Sequence, residues 1–449
     1  MTLAPTTRAA RRWVGGLGLG LALCLGACDS ILEVNDPDII VDANSPAGAI
    51  ALRNGVILRF NQAMDGGGDA PDGMFLLSGL LADEWRSGDT FEQRNTTDFR
   101  SVSTTNSFVN DLFRRANRVR IEGEGAIAAL RQFTPTDSAS IGRMWAYMAF
   151  AENQIGEFFC NGIPFSEVSG TDVVPGNPVS DDSAFGRAIS HADTALVTAG
   201  ASTDSAKTRV RNLAAVIKGR ALLNRDSAAA AALAVAAVPT SFQYRSEHSV
   251  TANDNAIWLQ AVNLVRYVMA DSEGINGLPF VSAADPRLPT FVVGHSFDNI
   301  FASVSSPTLW NSRDSAVVVA SGVEARLIEA EAALRGGDAT TYLAKLNEAR
   351  AAFNTAHAPP DTLPVLTDPG DDASRTTLLF RERAFWMYST GHRLGDLRRM
   401  IRQYGRNAES VFPTGPWFKG GTYGSDVNFP IPFAEQNNPN FTQCADRSA

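Results

Sequence analysis

The stretch Asp83-Glu84-Trp85-Arg86, followed closely by Phe91-Glu92-Gln93-Arg94-Asn95, gathers the side chains that a polar ligand needs. An aromatic face stacks on the apolar face of a sugar ring, while Asp, Asn and Arg bond hydroxyls or carboxylates. Asp83, Trp85, Arg94 and Asn95 are therefore the first candidates for a ligand site. Trp258, Trp310, Trp417 and Tyr423 are aromatics elsewhere in the chain that can complete its walls. For each aromatic taken singly, core packing is the competing role.

The same search finds no catalytic constellation. The five histidines, His191, His248, His295, His357 and His392, are scattered, with no two spaced three or four residues apart as a helical zinc site requires. There is no G-x-S-x-G elbow, no G-x-x-x-x-G-K loop, and no G-x-G-x-x-G after a strand pattern. Adjacent carboxylates such as Asp83 and Glu84 point about 100° apart on a helix, which does not place them across a scissile bond. The acidic run Asp65-Gly66-Gly67-Gly68-Asp69-Ala70-Pro71-Asp72 lacks EF-hand spacing. Binding without turnover, with no cofactor and no metal, is the expectation.

These candidates sit in segments rich in Gly, Pro, Asn, Asp, Ser and aromatics, at about 61–73, 88–106, 158–180, 239–253, 270–320 and 403–449. Long loops of that texture commonly carry function on a rigid scaffold. The scaffold is helical: periodic patterns run over about 46–64, 74–87, 107–132, 138–157, 181–198, 205–224, 254–269, 321–335, 338–356 and 374–401. Val323, Leu327, Ala330 and Leu334 form one apolar stripe, and Tyr342, Leu346, Ala349 and Phe353 form another. Gly336-Gly337 can turn the chain between them and Asp338 can cap the second helix, giving an antiparallel hairpin. A second hairpin over 181–224, with Ala184, Ala188 and Leu196 followed by the Ala-rich Leu213–Leu223, suits degenerate tetratricopeptide-like pairs. In the last helical segment Glu382 shares a face with apolar residues and needs a cation, for which Arg393 and Arg398 are candidates, and Asp396 can pair with Arg399 or Arg393.

The N-terminus reads as an export and anchoring signal. Arg8, Arg11 and Arg12 precede an apolar run from Trp13 to Leu23, which leads to Leu25-Gly26-Ala27-Cys28. Small residues before a cysteine fit lipoprotein processing, with residues 1–27 removed and Cys28 carrying the lipid. The apolar run is shorter than the ~20 residues of a membrane span. Residues 28–48 then form a tether and 49–449 a single domain. Loss of the three arginines leaves 36 basic against 48 acidic residues, so the formal charge moves from -9 to -12 and nucleic acid is an unsuitable partner. Cys24 leaves with the signal, and a disulfide between Cys160 and Cys444 is the economical reading in an oxidising compartment, with two buried thiols as the alternative.

Four segments, in order, resemble the SusD/RagB family: Cys28-Asp29-Ser30-Ile31-Leu32-Glu33-Val34; Gly142-Arg143-Met144-Trp145-Ala146-Tyr147 through Gly162-Ile163-Pro164-Phe165; Ala325-Arg326-Leu327-Ile328-Glu329-Ala330-Glu331-Ala332 with Leu346-Asn347-Glu348-Ala349-Arg350; and Glu382-Arg383, Gly391-His392-Arg393 and Asp396-Leu397-Arg398-Arg399. Asp285-Pro286-Arg287-Leu288 adds a further match. Where that family often has glutamates in the fourth stretch, this chain has Trp386 and Thr390. The resemblance implies a mainly α fold, a superhelix of tetratricopeptide-like hairpins with long ligand-binding loops. It also implies a lipid-anchored protein exposed at the outer-membrane surface. Such a protein captures an oligosaccharide or other oligomeric nutrient, glycan or peptide, and delivers it to a SusC-like TonB-dependent transporter. A helical-repeat envelope scaffold is the alternative.

Overall fold

Short polar side chains fix where the helices begin. The computed structural model describes residues 44–442 apart from 69, 170 and 171, so Cys28, the tether as far as residue 43, and Cys444 lie outside the described residues. Ser45 caps α1 (Pro46–Met64) by accepting from the Gly48 amide at 3.0 Å, with Pro46 in the first turn, where its missing N–H has no intrahelical partner to lose. After the short α2 (Met74–Leu81) and α3 (Glu92–Asp98), side-chain caps recur. Asn106 starts α4 (Ser107–Phe133), Asp137 starts α5 (Ser138–Phe158), Ser180 starts α6 (Asp181–Ala199) and Asp204 starts α7 (Ser205–Asn224). Beyond α8 (Ala228–Val235), Ser321 caps α9 (Gly322–Arg335), Asp338 caps α10 (Ala339–Ala356) and Asp371 caps α11 (Asp372–Trp386). The last helix, α12 (Arg393–Arg402), has no side-chain cap.

Consecutive helices pack as hairpins: α4 with α5, α6 with α7, α7 with α8 and α9 with α10, while α1 lies on α4 and α8 on α9. The fold is mainly α and tetratricopeptide-like. Small residues set its spacing, as the alanines of the 181–224 pair suggest: Ala184, Ala188, Ala192, Ala195 and Ala199 are buried on α6. A Cβ at Gly156 of α5 would stand 2.7 Å from the Phe185 ring, so that close approach requires glycine. The α9–α10 stripes meet as expected, with Leu327, Ala330, Leu334, Tyr342 and Leu346 in one cluster with Leu379 and Met387. Asp338 accepts from the Thr341 amide at 2.9 Å, and Gly337 takes a φ of 76° in the turn.

Between the hairpins run short antiparallel ribbons. The strands are β1 (Trp85–Ser87), β2 (Ile163–Pro164), β3 (Glu167–Ser169), β4 (Asp172–Val174), β5 (Pro178–Val179), β6 (Gln243–Ser246), β7 (Tyr267–Met269), β8 (Thr290–Gly294), β9 (Val304–Pro307) and β10 (Val317–Ser321). They pair as β1–β7, β2–β5, β3–β4, β6–β10 and β8–β9. Three helical expectations change accordingly. The segment 74–87 leaves the helix after Leu81 because Trp85–Ser87 pair with Tyr267–Met269. The segment 254–269 keeps only Ala256–Trp258 and a wide turn over Leu259–Asn263 before β7. The segment 374–401 breaks into α11 and α12, with Ser389 and Gly391 at φ 52° and 75°. Residues 228–235, expected as neither helix nor loop, form α8.

Buried ion pairs join these layers. Arg393 at the start of α12 grips Asp83 through Nε at 2.5 Å and Nη2 at 2.8 Å, clamping the C-terminal helix to the turn before β1. Asp396 accepts from Arg383 at 2.7 Å and Arg399 at 2.8 Å. Burial pushes its carboxyl up, but Arg383 and Arg399 hold it down at about 2. Arg399 reaches on to Glu331 of α9, which also accepts from Tyr404 at 2.8 Å. Glu382 is paired, although not with the arginines expected from its neighbourhood. Its partners are Arg287 at 2.9 Å, from the loop, and Arg350 at 3.0 Å, from α10. Arg393 is taken by Asp83, and Arg398 by Asp181 at 2.9 Å and the carbonyl oxygens that close α5.

Since Arg393 and Asp83 are both buried, removing one strands the other. Arg393→Met is expected to cost about 3–5 kcal/mol in urea unfolding. Asp83→Asn in the same chain should return much of that loss. A single-variant cost below about 1 kcal/mol would show that the pair does not hold the helix.

Candidate functional site

The β1–β7 ribbon brings two loops of distant sequence side by side, and Asp89, just past β1, ties them together. Its carboxylate, 1 % exposed, bonds Arg94 on one oxygen and Arg266 at 2.5 Å on the other. Its backbone oxygen accepts from Lys419 Nζ at 2.7 Å. Lys419 also reaches Asn95 Oδ1 and Asp298 Oδ2, each at 2.7 Å. Three loops, those carrying Asp89, Asp298 and Lys419, are thus fixed by charge-assisted bonds.

Over this frame lies an aromatic platform. Arg266 stands 3.6 Å from the ring centre of Phe297 and 4.9 Å from that of Phe91. Both rings keep large open faces, 40 % and 47 % exposed. Next to Lys419, the half-buried Trp417 and Phe418 have ring centres 5.2 Å apart, with Phe99 5.0 Å from Trp417 and Phe301 5.0 Å from Phe418. Arg86 lies 5.9 Å from the Phe418 ring centre. Open rings beside guanidinium, amide and ammonium groups can stack on and hydrogen-bond a polyhydroxylated ligand.

The sequence candidates divide around this platform. Trp85 is fully buried: Nε1 donates to Ser389 Oγ at 2.9 Å, and the ring packs against Tyr267 and Tyr388. Asp83 is likewise buried in its clamp. Arg94, 2 % exposed, is spent on Asp72 at 2.9 Å and on Asp89. These three are corrected from ligand contacts to core residues, because alternation along β1 and the ion pairs turn them inward. Asn95 stays near the platform through Lys419. Trp258 packs partly buried against the core. Trp310, 4 % exposed, forms part of the wall of a different cleft of about 540 Å3, together with Trp386 and Phe353. Tyr423 donates to Glu273 at 2.8 Å beneath the loops. Cys160 is buried and disulfide-bonded, and Cys444 lies outside the described residues. Of the residues missed, Phe297, Phe301, Phe418 and Lys419 come from loops whose only sequence signal was their Gly-, Pro-, Asn-, Asp-, Ser- and aromatic-rich texture, and Arg266 comes from the segment 254–269 expected as helix.

Under the platform, Asp98 accepts from the Ser87 amide at 2.8 Å. Burial raises the carboxyls of Asp98 and Glu273, and the nearby Asp98 raises Glu273 further. At the rim of the 540 Å3 cleft, Thr390, His392 and Glu324 form a hydroxyl–imidazole–carboxylate series, with His392 Nδ1 at 2.9 Å from the hydroxyl and Nε2 at 3.0 Å from Glu324. Thr390 Oγ1 donates to the Met387 oxygen at 2.6 Å, so its proton is directed away from the imidazole and the hydroxyl is not poised as a nucleophile. Among the described residues, no group of three or more His, Cys, Asp and Glu side chains is placed to hold a metal ion.

The fold has counterparts among solved structures. A SusD-like carbohydrate binding protein from Bacteroides vulgatus aligns over 89% of this chain and 97% of its own, with a TM-score of 0.60 and 14% identity. A SusD-like protein from Bacteroides fragilis aligns over 89% and 97%, at TM-score 0.62 and 13% identity. A SusD superfamily protein from Bacteroides thetaiotaomicron aligns over 90% and 100%, at TM-score 0.60 and 13% identity. The chain has the SusD-like fold. No family model and no curated protein matches the sequence.

Glu84 gives this region a pH dependence. It lies fully buried between Asp83 and Trp85, with Oε1 accepting from the Ser389 amide at 2.7 Å and Oε2 unpartnered. Burial raises its carboxyl from 4.5 to about 8, with Asp83 adding to the rise. The folded protein therefore holds a proton that the unfolded chain releases near 4.5, so this contribution is full below that pH and is lost as pH climbs towards 8. Stability should fall across that window by up to ~1.4 kcal/mol per pH unit. Glu84→Gln should flatten the fall, as read from urea midpoints at successive pH values. Parallel wild-type and variant profiles would reject a neutral Glu84.

Proposed function

We propose that this protein is a lipid-anchored surface protein that binds an oligomeric carbohydrate on the Phe91–Phe297–Trp417–Phe418 platform and passes it to a TonB-dependent transporter without chemical change. The observation that carries this reading is the platform itself: the solvent-open rings of Phe91 and Phe297, held by Arg266, beside the half-buried Trp417 and Phe418 over an ion-paired frame. The carbohydrate class is supported by the description of the Bacteroides vulgatus neighbour as a carbohydrate binding protein. Anchoring through Cys28 is supported by the Leu25-Gly26-Ala27-Cys28 sequence after an apolar run. Among the described residues no helix is long and apolar enough to cross a membrane, so the proposed attachment is the lipid. The SusC-like partner follows from the family resemblance.

Phe91→Ala with Phe297→Ala removes the two most open rings of the platform. Each stacked ring is worth ~1 kcal/mol, so the pair should weaken binding by roughly ten-fold or more. Calorimetry against a panel of neutral α- and β-linked hexasaccharides, with circular dichroism as the folding control, measures this. Trp85→Phe should leave affinity unchanged in the folded protein. Wild-type affinity in the folded double variant would remove the platform from the site, and release of shorter sugars by the wild type would overturn binding without turnover.

A further inference from the structure

Many arginines of the helical core face a carboxylate, as Arg220, Arg383, Arg393 and Arg399 do. Arg143, Arg209 and Arg245 face none within ion-pair distance among the described residues, yet all three line one cavity of about 600 Å3. The cavity opens where the first turns of α5 and α7 meet α1 and β6. Arg143 Nε is buried with no hydrogen-bond partner. Arg209 rests 4.7 Å from the ring centre of Tyr244, and Arg245 donates only to the neutral Gln243 amide, at 3.0 Å from Nε. The Tyr147 and Tyr244 hydroxyls, 2.8 Å apart, close the floor.

Two carboxylates also line the cavity, Asp137 and Glu247. Asp137 is engaged, accepting from the Ser140 amide at 3.0 Å and standing 3.8 Å from Arg53. Glu247 is exposed at the rim. The cationic excess is therefore local to the cavity, in a chain whose formal charge is -9. Unpaired guanidinium groups are forks shaped for planar or tetrahedral oxyanions. Arg245 also lines the aromatic cleft of Trp310, Trp386 and Phe353, so cavity and cleft meet at one residue.

We propose that this cavity is a second binding site, for an oxyanion carried by the oligomeric ligand, a carboxylate or a sulfate ester, with Arg143, Arg209 and Arg245 as its donors. The chain thereby selects acidic oligomers. An acidic group seats among the guanidiniums while its neighbouring unit extends past Arg245 towards Trp386. The inference relies on the nutrient-binding reading only for the oligomer that presents the anion. The anion site stands on its own lining.

Calorimetry of the full chain with four probes tests this: inorganic sulfate, a galacturonate hexamer, the same hexamer fully methyl-esterified, and a sulfated neutral hexasaccharide. The acidic hexamers should bind at least ~10-fold more tightly than the ester, as expected for charge-assisted bonds. Sulfate should compete with them, and whichever acidic hexamer binds better identifies the anion. In Arg143→Gln/Arg209→Gln/Arg245→Gln the preference for acid over ester should collapse to within ~2-fold, while the Phe91→Ala/Phe297→Ala variant keeps it. Equal binding of acid and ester by the wild type, absence of binding by every acidic probe, or an acid preference that survives in the folded triple variant would each overturn the anion site. Loss of ester binding only in the platform variant would bear on the platform and not on this cavity.

Discussion

Taking a charge out of water requires a partner already in place, and this protein meets that requirement repeatedly at one junction. Arg393 with Asp83, Arg383 and Arg399 with Asp396, Arg399 with Glu331, and Glu382 with Arg287 and Arg350 all lie buried where α12 and α11 cross the rest of the chain. Apart from Arg399 with Asp396, both on α12, the partners come from different segments, so the network forms only when the hairpins, the loop around Arg287 and the turn before β1 are all in position. A buried pair of this kind adds little net stability over a well-packed apolar pair, but losing one partner is severe. Its contribution is therefore to define one arrangement of helices and loops.

The platform inherits its order from that arrangement. Arg393 holds Asp83, β1 follows directly, and β1 carries the chain to Asp89. There Arg94, Arg266 and Lys419 converge, and the aromatic residues beside them are presented outward. Charge pairs that serve folding thus pass into charge pairs that place Phe91 and Phe297. The Asp98–Glu273 pair and Glu84, whose carboxyls burial raises, lie along the same path.

Much of the scaffold was legible because its signals are local. The Asp338 cap, the Leu327–Leu334 stripe and the Gly336-Gly337 turn act within a few residues. The breaks were not legible, because they depend on distant partners: Trp85–Ser87 become a strand only because Tyr267–Met269 lie alongside. The candidate site was half legible for the same reason. The segment around residues 83–95 does lead to the platform, but composition does not show which side chains face inward. Trp85, Asp83 and Arg94 proved to be the internal face, while Phe91 and Asn95 are on the side of the loops. Phe297 and Lys419 belong to the site through bonds across more than one loop, which no spacing rule encodes.

The central claim is that the ion-paired frame presents the three loops as one binding surface. Hydrogen–deuterium exchange of the full chain, with and without a hexasaccharide ligand identified by calorimetry, tests it most directly. The account predicts that ligand-dependent protection falls together on residues 88–95, 265–301 and 414–423, and that Arg393→Met, by releasing the clamp, removes it from all three segments at once. Protection on only one of these segments, or unchanged three-segment protection in the folded Arg393→Met variant, would contradict it.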